Sequence, residues 1–215
     1  MVSNVMTFVQ RQKIKSKYEE KRLYELVSGI LDRILAVVFL IITLPILFFC
    51  MILIRLEDGG PVLYSQNRVG KEGDLFVVYK MRSMYIAESE SDNGLAITKV
   101  NDPRITRIGK FIRMTRIDEI PQLLNILIGN MKLIGPRPLV EEQIIEYVND
   151  LPEFVDRLAV KPGVTGWAQV NGGNDVTPRE KLFFDIEYIK NRGLQMYLKV
   201  ILKTVWVVLS GEGAR

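Results

Sequence analysis

From Ile34 to Ile54 the chain runs for 21 residues without one charged side chain. As a helix this stretch would be about 31 Å long, close to the roughly 30 Å of a bilayer's hydrocarbon core. A membrane-spanning helix is the simplest prediction from that pattern. Two features favour a re-entrant segment that dips into the bilayer and returns. Pro45 stands near the middle of the run, where it lacks the amide proton of an interior turn and makes a bend the low-cost outcome. The flanks also share one sign. Arg11, Lys13, Lys15, Lys17, Lys21, Arg22 and Arg33 precede the run, and Arg55, Arg68, Lys71, Lys80 and Arg82 follow it, whereas a spanning helix concentrates lysine and arginine on its cytoplasmic side. A buried core helix is the third reading. A cleaved signal peptide fits poorly, because the run begins beyond residue 30 and no small-residue cleavage site follows it.

Upstream, Tyr18, Leu23, Leu26, Val27, Ile30 and Ile34 recur at helical spacing with Lys and Arg on the other face. This predicts an amphipathic helix, either lying at a membrane surface or packed on a soluble domain. Downstream, Glu57-Asp58-Gly59-Gly60-Pro61 reads as a turn, and the β-rich segments 62–64 and 75–79 as a hairpin or two short strands. Residues 85–98 read as a polar connection, and Glu141 to Val148 as a short amphipathic helix ended by Pro152. Arg179 to Ser210 is helical in pattern, in two pieces separated at Gly193. The second piece is apolar nearly all round except for Lys199 and Lys203. It is too short to span a bilayer and too apolar for water, so it is expected to lie in the interface with Trp206 at headgroup level.

Composition narrows the chemistry. The 215 residues allow one domain with a sizeable core plus a membrane element. Net charge is +4, from 29 Lys+Arg and 25 Asp+Glu, and the excess lies largely before residue 34, which suits anionic lipid better than nucleic acid. Cys50 is the single cysteine and sits inside the apolar run, so a disulfide framework is excluded. There is no histidine. Imidazole bases, histidine triads and histidine zinc sites are therefore excluded, leaving carboxylates, Lys/Arg, hydroxyls or a hard cation.

Candidate chemistry gathers in residues 101–125, where Arg104, Arg107, Lys110, Arg113 and Arg116 precede the adjacent carboxylates Asp118 and Glu119. Thr115 is placed to cap a helix with both carboxylates in its first turn, where acidic residues are also ordinary partners of the helix dipole. Neighbours on a helix point about 100° apart, so this pair cannot act as a face-to-face acid/base dyad and must hold different roles. Two polar and basic clusters at strand ends, one over Gln66-Asn67-Arg68-Val69-Gly70 and one over Tyr79-Lys80-Met81-Arg82-Ser83-Met84, are either surface or the lining of a site for an anionic ligand. Arg137 stands between Pro136 and Pro138, in a rigid surface turn or a stiff loop presenting a guanidinium to phosphate. The stretch 161–172 packs three glycines and a proline around Trp167, implying close backbone approach, with a ligand as one candidate for what approaches.

Several motifs, taken in order, carry a resemblance. They are Lys21-Arg22 with Asp32, Gln66-Asn67-Arg68-Val69-Gly70, Tyr79-Lys80-Met81-Arg82-Ser83-Met84, Asp102-Pro103-Arg104-Ile105-Thr106, Asp118-Glu119-Ile120-Pro121-Gln122-Leu123, Gly135-Pro136-Arg137-Pro138, and the run from Lys161 to Val170. Between Tyr18 and Leu209 the chain resembles the bacterial sugar transferase family, small monotopic phosphoglycosyl transferases that load a sugar-1-phosphate onto a polyprenyl phosphate. The resemblance implies an α+β monotopic membrane protein with a re-entrant helix-break-helix, amphipathic interfacial helices and a small cytosolic catalytic domain containing a short β-hairpin. Its expected parts are a basic amphipathic helix over 1–33, the re-entrant helix over 34–56, the catalytic domain over 57–192 and an interfacial helix over 193–215.

The same resemblance implies that Asp118 is the nucleophile, Glu119 its catalytic partner, and Mg2+ the cofactor, bound at Asp118 and the diphosphate. Lys80, Arg82, Arg104, Arg113, Arg116, Arg137 and Gln169 are the expected substrate and phosphate ligands. Expected partners are a UDP-sugar, polyprenyl (undecaprenyl) phosphate, membrane lipid and downstream membrane glycosyltransferases, with no nucleic acid, at the cytoplasmic face of the bacterial inner membrane. Two departures stand out. The family has a Ser-Pro pair at the membrane bend, whereas here Leu44 precedes Pro45 and Thr43 holds the nearby hydroxyl. Tyr197 stands where relatives usually have an aspartate in a pattern close to Leu-Asp-Leu-Lys. Rival readings are a one-step ternary-complex transferase and a non-enzymatic bitopic scaffold that binds anionic lipid.

Overall fold

A computed structural model describes residues 17–18, 21–85, 102–172 and 176–210. The basic residues before Lys17 and all but the first residue of the polar connection expected over 85–98 lie outside the described residues. The apolar run and the amphipathic stretch before it form one helix, α1 (Arg22–Asp58), which places the expected boundary near residue 33 inside a single element. Pro45 lies inside α1. The helix continues through it, so the break expected there takes no more than the form of a bend. Thr43 donates its hydroxyl to the Phe39 carbonyl at 2.6 Å, a local back-bond that bends helices. Gly59 ends α1 in the left-handed region at φ 73° and donates its amide to the Arg55 carbonyl.

Most large apolar side chains of α1 are exposed, including Ile30, Ile34, Ile41, Ile42, Phe48 and Phe49. It is therefore not a core helix. Ser28, Asp32, Ala36, Leu47, Cys50 and Ile54 make up its buried face. Both ends of that face are fastened to the rest of the chain. At the start, Glu25 pairs with Lys132 and Arg192, Lys132 also donates to the Ser28 hydroxyl at 2.8 Å, and Tyr197 donates to Asp32 Oδ1 at 2.7 Å. Tyr197 thus supplies a neutral anchor for α1 at the position that departs from the family pattern. At the far end, Leu47, Cys50 and Ile54 pack with Met81, Ile112 and Ile117. There Asp58 receives the Arg82 guanidinium, and the Glu57 carboxylate accepts the backbone amides of Arg107 at 2.7 Å and Ile108 at 3.2 Å.

After the turn come β1 (Leu63–Val69) and β2 (Leu75–Met81), paired antiparallel from Leu63↔Met81 to Val69↔Leu75. The hairpin is longer than predicted because Gln66, Asn67 and Arg68 continue the strand. Their period-two alternation keeps Tyr64, Gln66 and Arg68 on the half-buried face. Helix α2 (Arg107–Met114) is capped by Thr106, whose hydroxyl accepts the Gly109 amide at 2.8 Å. A 3-10 turn, Ile117–Gln122, leads into α3 (Leu123–Ile128). A second, parallel sheet pairs β3 (Lys132–Ile134) with β4 (Gly163–Thr165). Between these strands lie α4 (Glu141–Asp150) and a 3-10 stretch, Pro152–Ala159. The chain then forms α5 (Trp167–Gly172), α6 (Pro178–Asn191) and α7 (Leu194–Ser210). The mixture of helices and small sheets is the α+β class expected.

The close backbone approach predicted around Trp167 takes place between two segments of this chain. A Cβ on Gly163 would fall 2.0 Å from the Gly135 amide nitrogen, and one on Gly166 would fall 2.1 Å from the Gly135 carbonyl oxygen. These glycines seat the Arg137 loop on β4. Beneath that loop Arg157 and Asp185, each side chain 2 % exposed, form a buried pair at 2.8 Å, and Arg157 also donates to the Arg137 carbonyl at 3.0 Å. Arg157→Met would strand a carboxylate in the core, and we expect it to cost about 3–5 kcal/mol of stability. The double variant Arg157→Met/Asp185→Leu should recover most of that loss in thermal unfolding of the detergent-solubilised protein. No recovery would mean that the pair is not what holds this region.

Candidate active site

The carboxylate pair is placed by a local reversal. Thr115 ends α2 instead of starting the next helix, donating its hydroxyl to the Phe111 carbonyl at 2.9 Å. Arg116 then adopts φ 56°, and the 3-10 turn beginning at Ile117 has no side-chain cap. The expected cap by Thr115 is thus replaced by a left-handed step at Arg116. Pro121 and Gln122 are buried within this turn, which packs against β2 and aims Asp118 and Glu119 toward Lys80.

Glu119 is clamped. Arg137 reaches its two oxygens at 2.6 and 3.4 Å, and Lys80 reaches Oε1 at 3.1 Å. Burial alone would raise this acid's pKa, but the charges of Arg137 and then Lys80 outweigh it and hold the carboxyl far below its ordinary value. Asp118 accepts no hydrogen bond from a described residue. Burial first, and the neighbouring Glu119 charge second, push its pKa up to about 6, opposed by Lys80, Arg113 and Arg137. Adjacent carboxylates therefore have divergent environments, a fixed anion beside a poised one.

The cations around them are themselves arranged by secondary structure. Lys80 shares the inward face of the hairpin with Tyr64, its cross-strand partner. Buried Asn125 fixes that strand by accepting the Tyr79 amide at 3.2 Å and donating to the Val77 carbonyl at 2.6 Å. Burial lowers the Lys80 and Arg113 pKa values, while Glu119 raises that of Arg137. Arg68 is a further member that the predicted site residues do not include. Burial, and then the Arg137 charge, lower its pKa to about 10, and Glu119 acts in the opposite direction. Strand alternation is the signal that reveals it, because it puts Arg68 on the Lys80 face of the hairpin.

Two predicted ligands are occupied elsewhere. Arg82 is buried and forks onto Asp58, with a further bond to the Met84 carbonyl at 3.2 Å, so it ties the hairpin to the end of α1. Arg104 is held by Asp102 at 2.7 and 2.9 Å. Gln169 does lie at the site, beside Arg116 and Glu119 in the wall of a groove of about 180 Å³. Its amide donates to the Val164 carbonyl at 2.9 Å, and its buried Oε1 has no hydrogen-bond partner among the described residues. A larger cavity of about 560 Å³ is lined by Glu25, Asp32, Arg33, Lys132 and Lys161 and contains neither carboxylate of the pair.

Among the described residues no three acidic or sulfur side chains cluster as metal ligands. With Glu119 engaged by two cations, Asp118 is the carboxylate left at this centre among the described residues. That set does not fit an all-protein metal cage. It fits a magnesium ion sharing one carboxylate with substrate phosphates and water, the usual habit of that ion.

The model of the bacterial sugar transferase family matches residues 23–211. The UDP-N-acetylgalactosamine-undecaprenyl-phosphate N-acetylgalactosaminephosphotransferase of Aeromonas hydrophila is 38% identical over 196 residues, covering 90% of this chain and 46% of that protein. The undecaprenyl-phosphate galactose phosphotransferase of Salmonella typhimurium is 38% identical over 209 residues, covering 90% of this chain and 43% of that protein. An uncharacterized sugar transferase of Bacillus subtilis is 38% identical over 193 residues, covering 90% of this chain and 89% of that protein. The chain thus spans under half the length of the first two relatives and most of the third.

Two outcomes check the electrostatics. In ligand-free protein with 13C-labelled aspartate carboxyls, Asp118 should titrate near pH 6. In Lys80→Met the midpoint should rise, because a charge that favours the ionised form is gone. An unperturbed midpoint would remove the buried-pair account. Arg137→Lys keeps the charge but loses the fork, and should leave Glu119 less firmly held and lower catalytic efficiency about tenfold or more. Unchanged efficiency would return Arg137 to the role of a surface turn.

Proposed function

The chain belongs to the bacterial sugar transferase family, and we propose that it transfers a sugar-1-phosphate from a UDP-sugar to polyprenyl (undecaprenyl) phosphate, releasing UMP. The relatives' names support that substrate pair. The site observation that carries the reading is the unequal treatment of the two carboxylates, with Glu119 bound by Arg137 and Lys80 and Asp118 accepting no hydrogen bond from any described residue.

In the proposed course an Asp118 oxygen attacks the phosphorus that bears the sugar. The new bond joins that phosphorus to Asp118 as the phosphorus–oxygen bond to UMP breaks, and UMP departs. An oxygen of polyprenyl phosphate then attacks the same phosphorus, releasing the carboxylate and forming the lipid diphosphate sugar. Carboxylates are weak nucleophiles but serve when phosphoryl charge is shared with fixed cations. Arg113, Arg137 and Lys80 supply that charge here, and Glu119 holds Arg137 and Lys80 in place. Magnesium, when bound at Asp118 with the diphosphate, would add Lewis-acid stabilisation of the phosphoryl oxygens.

The membrane arrangement we propose is re-entrant, with both ends of α1 and the catalytic domain on the cytoplasmic side of the inner membrane. Support comes from the fastening of both ends to the same domain, Glu25 to Lys132 and Arg192 at one end and Asp58 to Arg82 at the other. Cysteines placed singly at Lys17 and Glu72 in a Cys50→Ala background should both resist a membrane-impermeant thiol reagent in intact cells. Labelling of one and not the other would mean that α1 spans the bilayer.

The chemical test is intact-protein mass spectrometry after incubation with UDP-sugar and magnesium but no lipid. A phosphosugar increment should appear, map to Asp118, vanish on adding polyprenyl phosphate and be absent in Asp118→Asn. An active parent that never shows the adduct at short times supports one-step transfer in a ternary complex. Full activity in Asp118→Asn rejects the assignment altogether.

A further inference from the structure

The groove beside Glu119 has a form that the phosphate chemistry alone does not explain. One wall is the 3-10 turn with Ile120, one is the β4–α5 segment with Val170, and the third is the end of α7 with Val207 and Val208. Its hydroxyl groups are satisfied internally. Thr165 and Thr204 hydrogen-bond each other at 2.8 Å, and Thr204 also reaches the Val200 carbonyl at 2.8 Å. The wall therefore behaves as apolar surface along most of its length.

Only the inner end is polar, where Glu119, Arg116 and Gln169 meet. The outer wall is continuous with a helix whose other side chains are bare. Leu202, Val205, Trp206 and Leu209 on α7 are all more than half exposed, as suits a helix lying in lipid. Its 180 Å³ falls below the roughly 300–1,000 Å³ of pockets that enclose drug-sized ligands. A nucleoside diphosphate sugar does not fit in it, and a sugar ring would find few partners for its hydroxyls. An apolar chain entering lengthwise from the bilayer matches the lining, and a phosphate at its inner end would meet the Arg116 guanidinium and the Gln169 amide beside Glu119.

We infer that this groove is the chain-binding site for the acceptor lipid, holding the isoprene units next to the phosphate so that the phosphate is delivered to the Asp118 side of Glu119. The inference rests on the proposed lipid-acceptor reading and adds the place where the chain is recognised. It separates the routes of the two substrates. The lipid arrives between α7 and the 3-10 turn, while the water-soluble donor meets the carboxylates from the side of Lys80 and Arg137.

Val207→Phe and Val208→Phe fill the groove from positions outside the buried core, and Val205→Phe on the outward face of α7 is the control. We expect the two groove variants to raise the KM for polyprenyl phosphate about tenfold or more. The KM for UDP-sugar and the lipid-free exchange of labelled UMP into UDP-sugar should stay within about twofold of the parent, the tolerance of a site the side chain does not touch. Val205→Phe should leave all three unchanged. A parallel fall in lipid-free exchange, or an unmoved lipid KM, overturns the inference.

A polyprenyl phosphate carrying a photoreactive group near its head should label peptides from 164–170 or 204–208. Excess polyprenyl phosphate should suppress this labelling, and phosphatidylglycerol vesicles should not. Equal suppression by phosphatidylglycerol would make the groove a general lipid contact and overturn it as an acceptor site. A parent with neither exchange nor turnover would reject the proposed function, and the labelling would still decide the groove.

Discussion

The ion network on Glu119 is the constraint to which the rest of the domain answers. A buried carboxylate is costly unless cations meet it with good geometry, and here the two that do come from distant parts of the chain. Lys80 is delivered by β2, which Asn125 pins to α3. Arg137 is delivered by a proline-bounded loop whose carbonyl is held by Arg157, itself neutralised by Asp185 on α6. Hairpin, loop and C-terminal helices converge because each positions one charge. Shifting any of them would leave an uncompensated ion in a partly dry site.

That concentration of positive charge on one acid shapes its neighbour. Asp118 is raised first by its own burial and then by the repulsion of Glu119, against the opposing pull of Lys80, Arg113 and Arg137, so its proton is held more tightly than usual while Glu119 stays ionised. The left-handed step at Arg116 and the tight turn after it make this possible. On a regular helix with acidic residues in its first turn, both carboxylates would sit at the helix end as solvated dipole partners. Histidine, absent from the chain, is the usual group for a poised charge near neutrality. Here burial and like-charge repulsion bring a carboxylate toward that range instead.

Much of this organisation was legible in the sequence, and the misses share a cause. The long apolar run, the hairpin and the two terminal helices follow from periodicity, which reports burial on one face of one element. The β3–β4 sheet does not, because three-residue strands carry too little pattern, and its evidence is the steric necessity of Gly163 against Gly135. Arg82 was expected among the substrate ligands and is instead a tie to Asp58, and Arg68, read in a polar cluster at a strand end but not among the expected ligands, joins the charged cluster. A cation's role depends on which anion lies opposite it in space, which local sequence does not state. The glycines around Trp167 make the same point, since the need for close approach was readable but its partner, the Arg137 loop, was not.

The long helix brings these strands together. Laid straight, the 37 residues of α1 would extend about 55 Å, whereas a domain of roughly 150 residues has a radius of gyration of about 15 Å. A straight α1 would overhang such a domain at one or both ends. Yet Glu25 near one end and Asp58 at the other each hold partners in it, while the apolar side chains between stay bare. In the proposed re-entrant arrangement, a bend near Pro45 would let a membrane accept that bare surface while the domain grips both ends. Under the proposed chemistry this geometry has a kinetic meaning. A domain held in this way would not tumble away from the bilayer, so an acceptor confined to the membrane would meet the carboxylates at a fixed depth and orientation. On the proposed routes a donor from water would approach the opposite side of the same charge network, and a carboxylate standing between them would receive from one before delivering to the other.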